Sequence, residues 1–273
     1  MESAGKWLPS PALIDRTLRI ENSYTMSRMK VLESIPGNPV GIQFRSIGDS
    51  AVALMARHFP NPSFNKIVGL RAGQEREIEP LIAWYRENCA KARFEILPRA
   101  DDGALGRELA RLGFYPSEFH TSLIRDVTPP VSAPQGIDVE NVAGTEAMEE
   151  FLDAYVAGWQ IQGDPEGFKR NVRPWLGRQG WSLFLARADG RPAASAILFV
   201  EDGVGYLADA SCDPVYRCRG LHAALLDRRI REAQACGVEF ICRGAAFLST
   251  SHRNMERAGM RIQFQRSIWT EKV

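Results

Sequence analysis

From Gly220 onward, Ala223, Leu226, Ile230 and Ala233 recur at helical spacing, while Asp227, Arg228, Arg231, Glu232 and Gln234 fall elsewhere. The pattern predicts a helix that begins at about Arg219 and stops at Gly237. Just upstream, 203–212 reads as a strand closed off by Pro214, which has no amide to give to a ladder. Behind the helix come a strand over 239–245, a short helix over 249–257 with Ser or Thr at its cap, a stop at Gly259, and a last strand over 262–270. Ahead of this block the pattern predicts a strand at 137–140, helices at 145–158 and 165–176, and a hairpin of 181–187 and 193–200 turned by Asp189-Gly190.

The first half repeats that order. It predicts a helix over 11–33 capped by Ser10, strands near 41–47, 51–57 and 66–70, and a helix over 74–88. A strand at 93–97, a short helix at 105–112 and a strand at 119–125 follow. Arg71 and Arg217, Arg111 and Arg257, and Gly113 and Gly259 all stand 146 positions apart, which with the matching element order favours two copies of one fold. The Pro-rich stretch 129–134 lacks periodicity and suits an extended connector, so the expected division is 1–128, a linker at 129–134, and 135–273.

Composition narrows the class of molecule. With 34 Lys and Arg against 33 Asp and Glu, the chain is nearly neutral and carries no general footprint for nucleic acid or a membrane surface. No run has the length of a signal core or a spanning helix, which leads to the expectation of a soluble cytoplasmic protein, as monomer or homodimer. Cys89, Cys212, Cys218, Cys236 and Cys242 are odd in number and lack CxxC spacing, so reduced thiols are expected, with no metal site.

The chemistry concentrates at 212–223. A helix starting at about Arg219 leaves its first amides without internal partners, and those amides and the helix dipole favour a phosphate. Gly220 permits close approach of a ligand to the backbone, and Arg217 and Arg219 add positive charge. Neither G-x-x-x-x-G-K-[ST] nor, at this turn, G-x-G-x-x-G is present, so neither a Walker nor a Rossmann nucleotide site is spelled out. Arg217-Cys218-Arg219-Gly220-Leu221-His222, after a strand ending near Pro214, resembles the pyrophosphate loop [R/Q]-x-x-G-x-[G/A] of the GNAT superfamily of N-acyltransferases. The resemblance extends through the element order of 135–273, and the whole chain resembles tandem GNAT proteins in which one repeat is degenerate.

That resemblance implies an α/β (α+β) protein of two GNAT-like domains, each a mixed, mostly antiparallel twisted sheet flanked by helices. It implies acetyl-CoA or another acyl-CoA bound by Ala210, Ser211, Cys212, Arg217, Cys218, Arg219, Gly220, Leu221, His222, Ala223 and Asn254. Two positions depart from the pattern. His222 replaces the final Gly or Ala of the loop, and Met255 stands where many members place a Tyr that protonates the leaving thiolate. In the first copy, Arg71-Ala72-Gly73-Gln74 leads into Glu75 and Glu77, whose carboxylates would repel a pyrophosphate, so that copy is expected to serve as scaffold or substrate wall.

Attack on a thioester needs a neutral amine, hence a base, and an amide to receive the oxyanion. Asp209 is the carboxylate within 203–212 and is the candidate general base, with a solvated or salt-bridged strand residue as the plain alternative. Tyr155, Trp159, Phe168, Trp175 and Trp181 read either as core or as an aromatic acceptor wall. Asp153, Asp164 and Glu166 either receive a cationic amine or face solvent. The function expected is transfer of an acyl group to a primary amine of a small molecule or peptide by direct attack on the thioester. A non-catalytic acyl-CoA-binding or sensor protein is the alternative, which Met255 favours.

Overall fold

A computed structural model describes residues 8–59, 61–97, 103–128 and 136–272; the connector expected at 129–134 lies outside the described residues. In chain order the first elements are α1 (Pro11–Glu33), β1 (Ile42–Ile47), β2 (Ala51–Ala56), β3 (Lys66–Val68), α2 (Ile78–Glu87) and β4 (Arg93–Ile96). Then come α3 (Gly103–Arg111), β5 (Phe114–Asp126), β6 (Val139–Asn141), α4 (Gly144–Trp159), α5 (Pro165–Val172) and β7 (Trp181–Ala188). β8 (Arg191–Glu201), β9 (Val204–Cys212), α6 (Leu221–Ala235), β10 (Phe240–Ala246), α7 (Thr250–Arg257) and β11 (Arg261–Glu271) complete the chain. The helix expected over 165–176 divides at Arg173–Trp175, a 3-10 turn containing Pro174, which cannot continue an α-helical ladder.

The chain forms two compact units that interleave along the sequence instead of dividing at the connector. Unit one takes α1 as far as Arg28, then Leu123–Arg243 and Thr250–Gln263. Unit two takes Met29–Ser122, Gly244–Ser249 and Phe264–Val273, so most of the final strand leaves the half of the sequence it was expected to close.

In unit one the strands run β10-β9-β8-β7-β6, antiparallel except for the parallel β9–β10 pair that α6 connects. Residues 193–199 of β8 are buried without interruption, which requires cover on both faces; α4 and α6 both pack on β8. α1 brings Tyr24 to within 5.1–5.7 Å, ring to ring, of Trp181, Tyr206 and Phe199. Ser27 accepts a hydrogen bond from the Trp181 indole at 3.0 Å, and Arg16 pairs with Glu239 at 2.9 Å.

Unit two has the order β1-β2-β3-β4-β11-β5, in which β1–β2, β2–β3 and β4–β11 pair antiparallel and β3–β4, connected through α2, pairs parallel. Its core sets Met55, Ile67 and Phe94 from the strands against Ile78, Leu81 and Tyr85 of α2 and Leu105 and Leu109 of α3. Each unit is therefore a mixed, mostly antiparallel sheet flanked by helices, with one strand–helix–parallel-strand element. Among the described residues no helix is long and apolar enough to cross a membrane.

Candidate active site

β9 leaves its ladder at one point. Its pairing with β8 shifts between Ser195 and Ile197, so Asp209 and Ala210 oppose a single residue of β8, and Asp209 takes φ +34°. This is a β-bulge, and it bends the strand end away from regular pairing. The parallel pairing of β9 with β10 runs from Val204–Phe240 to Tyr206–Cys242, and both strands continue beyond it. Beyond the bulge, Ala210, Ser211 and Cys212 line a cavity of about 840 Å³.

The turn after β9 is built locally. The Asp213 carboxylate accepts the Val215 amide at 3.0 Å and so caps the 3-10 turn Pro214–Tyr216. Cys218 (φ +62°) and Gly220 (φ +86°) then reverse the chain in left-handed conformations, the second of which only glycine takes without strain. Gly220 is the N-cap of α6 and supplies no side chain to the first-turn amides. Those amides, with no acceptor inside the helix, begin the wall formed by Leu221, His222 and Ala223. Arg217 and Arg257 also line the cavity, and among the described residues neither has a carboxylate partner and no Asp or Glu lines the wall. The result is a concave, electropositive site at a helix N-terminus, which suits a phosphorylated ligand.

Of the cofactor residues expected from sequence, Ala210, Ser211, Cys212, Arg217, Cys218, Gly220, Leu221, His222, Ala223 and Asn254 all line this cavity. Arg219 does not. Its guanidinium forms a bidentate pair with Asp189 in the β7–β8 turn, at 2.9 Å for each bond, and so points to the hairpin. Sequence reasoning missed Gly158, Tyr216, Leu226, Thr250, Arg257 and Ala258, and had Trp159 only as core or acceptor wall. Thr250, Asn254, Arg257 and Ala258 follow the spacing of one helical face, a signal that Asn254 alone could have extended.

Asp209 corrects a second expectation. Its carboxylate oxygen Oδ2 accepts hydrogen bonds from Tyr24 Oη at 2.7 Å, Arg28 Nη1 at 2.9 Å and Tyr155 Oη at 3.3 Å, and the residue does not line the cavity. Burial alone would raise its pKa, but the charges of Arg28 and Arg243 and the two phenol hydrogen bonds hold it below the ordinary carboxylate range. Such a group anchors structure and is a poor proton acceptor. His222 is held neutral, at about 4, by burial and by the charges of Arg229 and Arg243. Burial raises the Cys212 thiol, which weakens it as a nucleophile.

The aromatic residues divide. Tyr155, Trp175 and Trp181 are buried core, whereas Trp159 is 44% exposed and lines the cavity beside Gly158. The acidic candidates are engaged elsewhere: Asp153 and Glu166 both hold Lys169, at 2.7 and 2.9 Å, and Asp164 caps α5 through the Gly167 amide at 2.8 Å. Met255, the residue in place of the expected Tyr, is buried at 3% exposure.

Residues 131–246 match the family model of the acetyltransferase (GNAT) domain. No curated protein matches the sequence. Among solved structures, a GCN5-related N-acetyltransferase from Kribbella flavida is similar with TM-score 0.65 and 15% identity, covering 93% of this chain and 95% of that one. A tandem GNAT protein from the clavulanic acid biosynthesis pathway is similar with TM-score 0.60 and 15% identity, over 96% of this chain and 97% of that one. A functionally unknown conserved protein from Staphylococcus epidermidis is also similar, with TM-score 0.64 and 12% identity over 86% and 96%. At these identities the likeness shows a shared fold, and residues 131–246 are similar to the acetyltransferase (GNAT) domain.

Proposed function

We propose that the protein is an acetyl-CoA-dependent N-acetyltransferase acting on a primary amine, with its single acyl-CoA site in unit one. The observation that carries this reading is the cavity itself, where an uncapped α6 N-terminus, Gly220 at φ +86° and two carboxylate-free arginines meet in a wall that holds no acidic residue among those described. The pyrophosphate would lie against the amides of Leu221–Ala223 with Arg217 beside it, and Asn254 would meet the pantetheine arm. Acetyl-CoA, or another acyl-CoA, would supply a thioester whose acyl carbon becomes bonded to the amine nitrogen as the thiol departs.

The chain's own contribution is orientation and charge stabilisation. Amides within Ala210–Cys212, where β9 has left its pairing with β10, would receive the negative charge that develops on the carbonyl oxygen. The described wall offers no strong base, since Asp209 is committed to Arg28 and His222 is only weakly basic. The amine therefore reacts from its neutral fraction, losing its second proton to water, and the thiolate takes a proton from water. Trp159, exposed in the wall while nearby acids are paired, suits an amine bearing an apolar or aromatic group.

Unit two is proposed as the degenerate copy of a tandem pair, a scaffold without cofactor. Its corresponding loop is closed by its own side chains: Gln74 Oε1 accepts the Arg71 amide at 2.8 Å and Glu75 Oε1 accepts the Gly73 amide at 2.9 Å. Buried Met255, which has no proton to donate, keeps a non-catalytic acyl-CoA sensor as the second reading. Thiol release from acetyl-CoA with a panel of aliphatic and aromatic primary amines separates the two. Amine-dependent release whose rate rises with pH through the amine's own pKa supports the enzyme; binding of acetyl-CoA with no amine-dependent release supports the sensor.

A further inference from the structure

The bulge in β9 is the device that turns Ala210–Cys212 toward the cavity, and the surrounding contacts show what holds it. Asp209 sits at φ +34°, a left-handed conformation that a non-glycine residue keeps only when its surroundings enforce it. Two sets of groups do so. From α1, Tyr24 and Arg28 donate to its carboxylate at 2.7 and 2.9 Å, and Arg28 lies over the Trp175 ring at 5.6 Å. From α6, Arg229, 2% exposed and without a carboxylate partner among the described residues, donates to the carbonyls of Ile197 and Ala208 at 3.3 and 3.4 Å. Those carbonyls belong to the last regular pair before the bulge, and the next pair, Ser195–Ser211, is joined by its hydroxyls at 2.9 Å.

We propose that Arg28 and Tyr24 of α1, with Arg229 of α6, are positioning residues that clamp the bulge and thereby set the direction of the Ala210–Cys212 amides. The proposal rests on the acyl-CoA reading above and adds to it a segment 181 to 185 residues distant from Asp209 in sequence. None of the three lines the cavity, so each acts through β9. Removing Arg28 would take from the buried carboxylate its hydrogen-bonded cation, leaving the charge of Arg243, and release the strand end, whereas the turn before α6 keeps its own cap from Asp213.

The test compares two ligands on purified full-length protein. Acetyl-CoA engages both the loop and β9, while 3′-phospho-ADP has the pyrophosphate but no pantetheine arm. Arg28→Met and Arg229→Met should weaken acetyl-CoA at least about tenfold and change 3′-phospho-ADP by less than about twofold; Arg28→Lys should recover part of the loss. Tyr24→Phe, which deletes one hydroxyl and keeps the packing, is the variant to use if the methionine variants do not fold, and it should weaken acetyl-CoA about threefold with 3′-phospho-ADP unchanged. Equal losses for both ligands, or no loss for either, overturn the clamp. A wild-type protein that binds neither ligand overturns the acyl-CoA reading itself, which a wild-type protein binding both does not.

Discussion

Gly158→Ala tests how closely α4 must approach the end of β9. A Cβ built at Gly158 would stand 2.7 Å from Ser211 Cβ and 2.9 Å from the Cys212 backbone nitrogen, and against Ser211 Oγ as well. Ordinary contact begins at 3.4 Å, so α4 and β9 would have to part by about 0.5 Å to clear the backbone nitrogen and about 0.7 Å to clear Ser211 Cβ. Overpacking of that size costs roughly 1–3 kcal/mol. At roughly 2–4 °C per kcal/mol for a chain of this class, the melting temperature should fall by about 2–12 °C. Because Ser211 and Cys212 form the cavity wall, affinity for acetyl-CoA should fall about tenfold, worth about 1.4 kcal/mol. Thermal melts by circular dichroism and calorimetric titration read the two effects separately. Adding Ser211→Gly removes two of the three contacts and should restore part of both losses, a coupling expected of residues in contact. A Gly158→Ala protein with wild-type melting temperature and wild-type affinity would refute the close packing of α4 on β9.

Other outcomes follow from particular contacts. At Gly106 in α3 an added Cβ meets only Trp269 ring carbons at 3.5 and 3.7 Å, so Gly106→Ala should stabilise the protein by about 0.5–1 kcal/mol in urea unfolding. Buried Glu95 is driven upward by desolvation, but Lys66 and Arg266 overcome that and hold it at about 2. Its folded pKa is depressed, so its contribution is present above the unfolded value and lost as pH falls toward 2; wild type should lose roughly 3 kcal/mol from this group between about pH 5 and pH 2. Glu95→Gln should be less stable at pH 7 and show a shallower acid slope, measured by urea midpoints across that range. Arg217→Ala should weaken acetyl-CoA by about tenfold, whereas Arg219→Ala, whose guanidinium is tied to Asp189, should change it less than about twofold.

Much of the fold was legible because its punctuation is local. Pro214 ends β9, Gly237 ends α6, and Asp189-Gly190 turns the β7–β8 hairpin, so element order could be read from neighbours in sequence. The cavity loop was legible for the same reason: a strand end, a left-handed glycine and an uncapped helix start occupy only 212–223. The interleaving of the units was not, since nothing local tells α1 to join the unit that carries the cavity or the last strand to pair with β4. Asp209 shows the consequence. In sequence it is a carboxylate in an apolar strand, open to either role; Tyr24, Arg28 and Tyr155, all distant in the chain, make it an anchor. Arg219 was misplaced because its partner lies in a hairpin turn, and Gly158 was missed because a close helix–strand approach leaves no mark in spacing.

The central claim is that the cavity at the start of α6 binds acyl-CoA, and calorimetric titration of the wild type and of Gly220→Glu with acetyl-CoA tests it most directly. Glutamate there would place a carboxylate and a strained φ of +86° where the pyrophosphate is to lie. The account predicts saturable binding at one site per chain, lost in the variant while its circular dichroism spectrum stays that of the wild type. Absence of binding to the wild type, or equal binding to a folded Gly220→Glu protein, would contradict it.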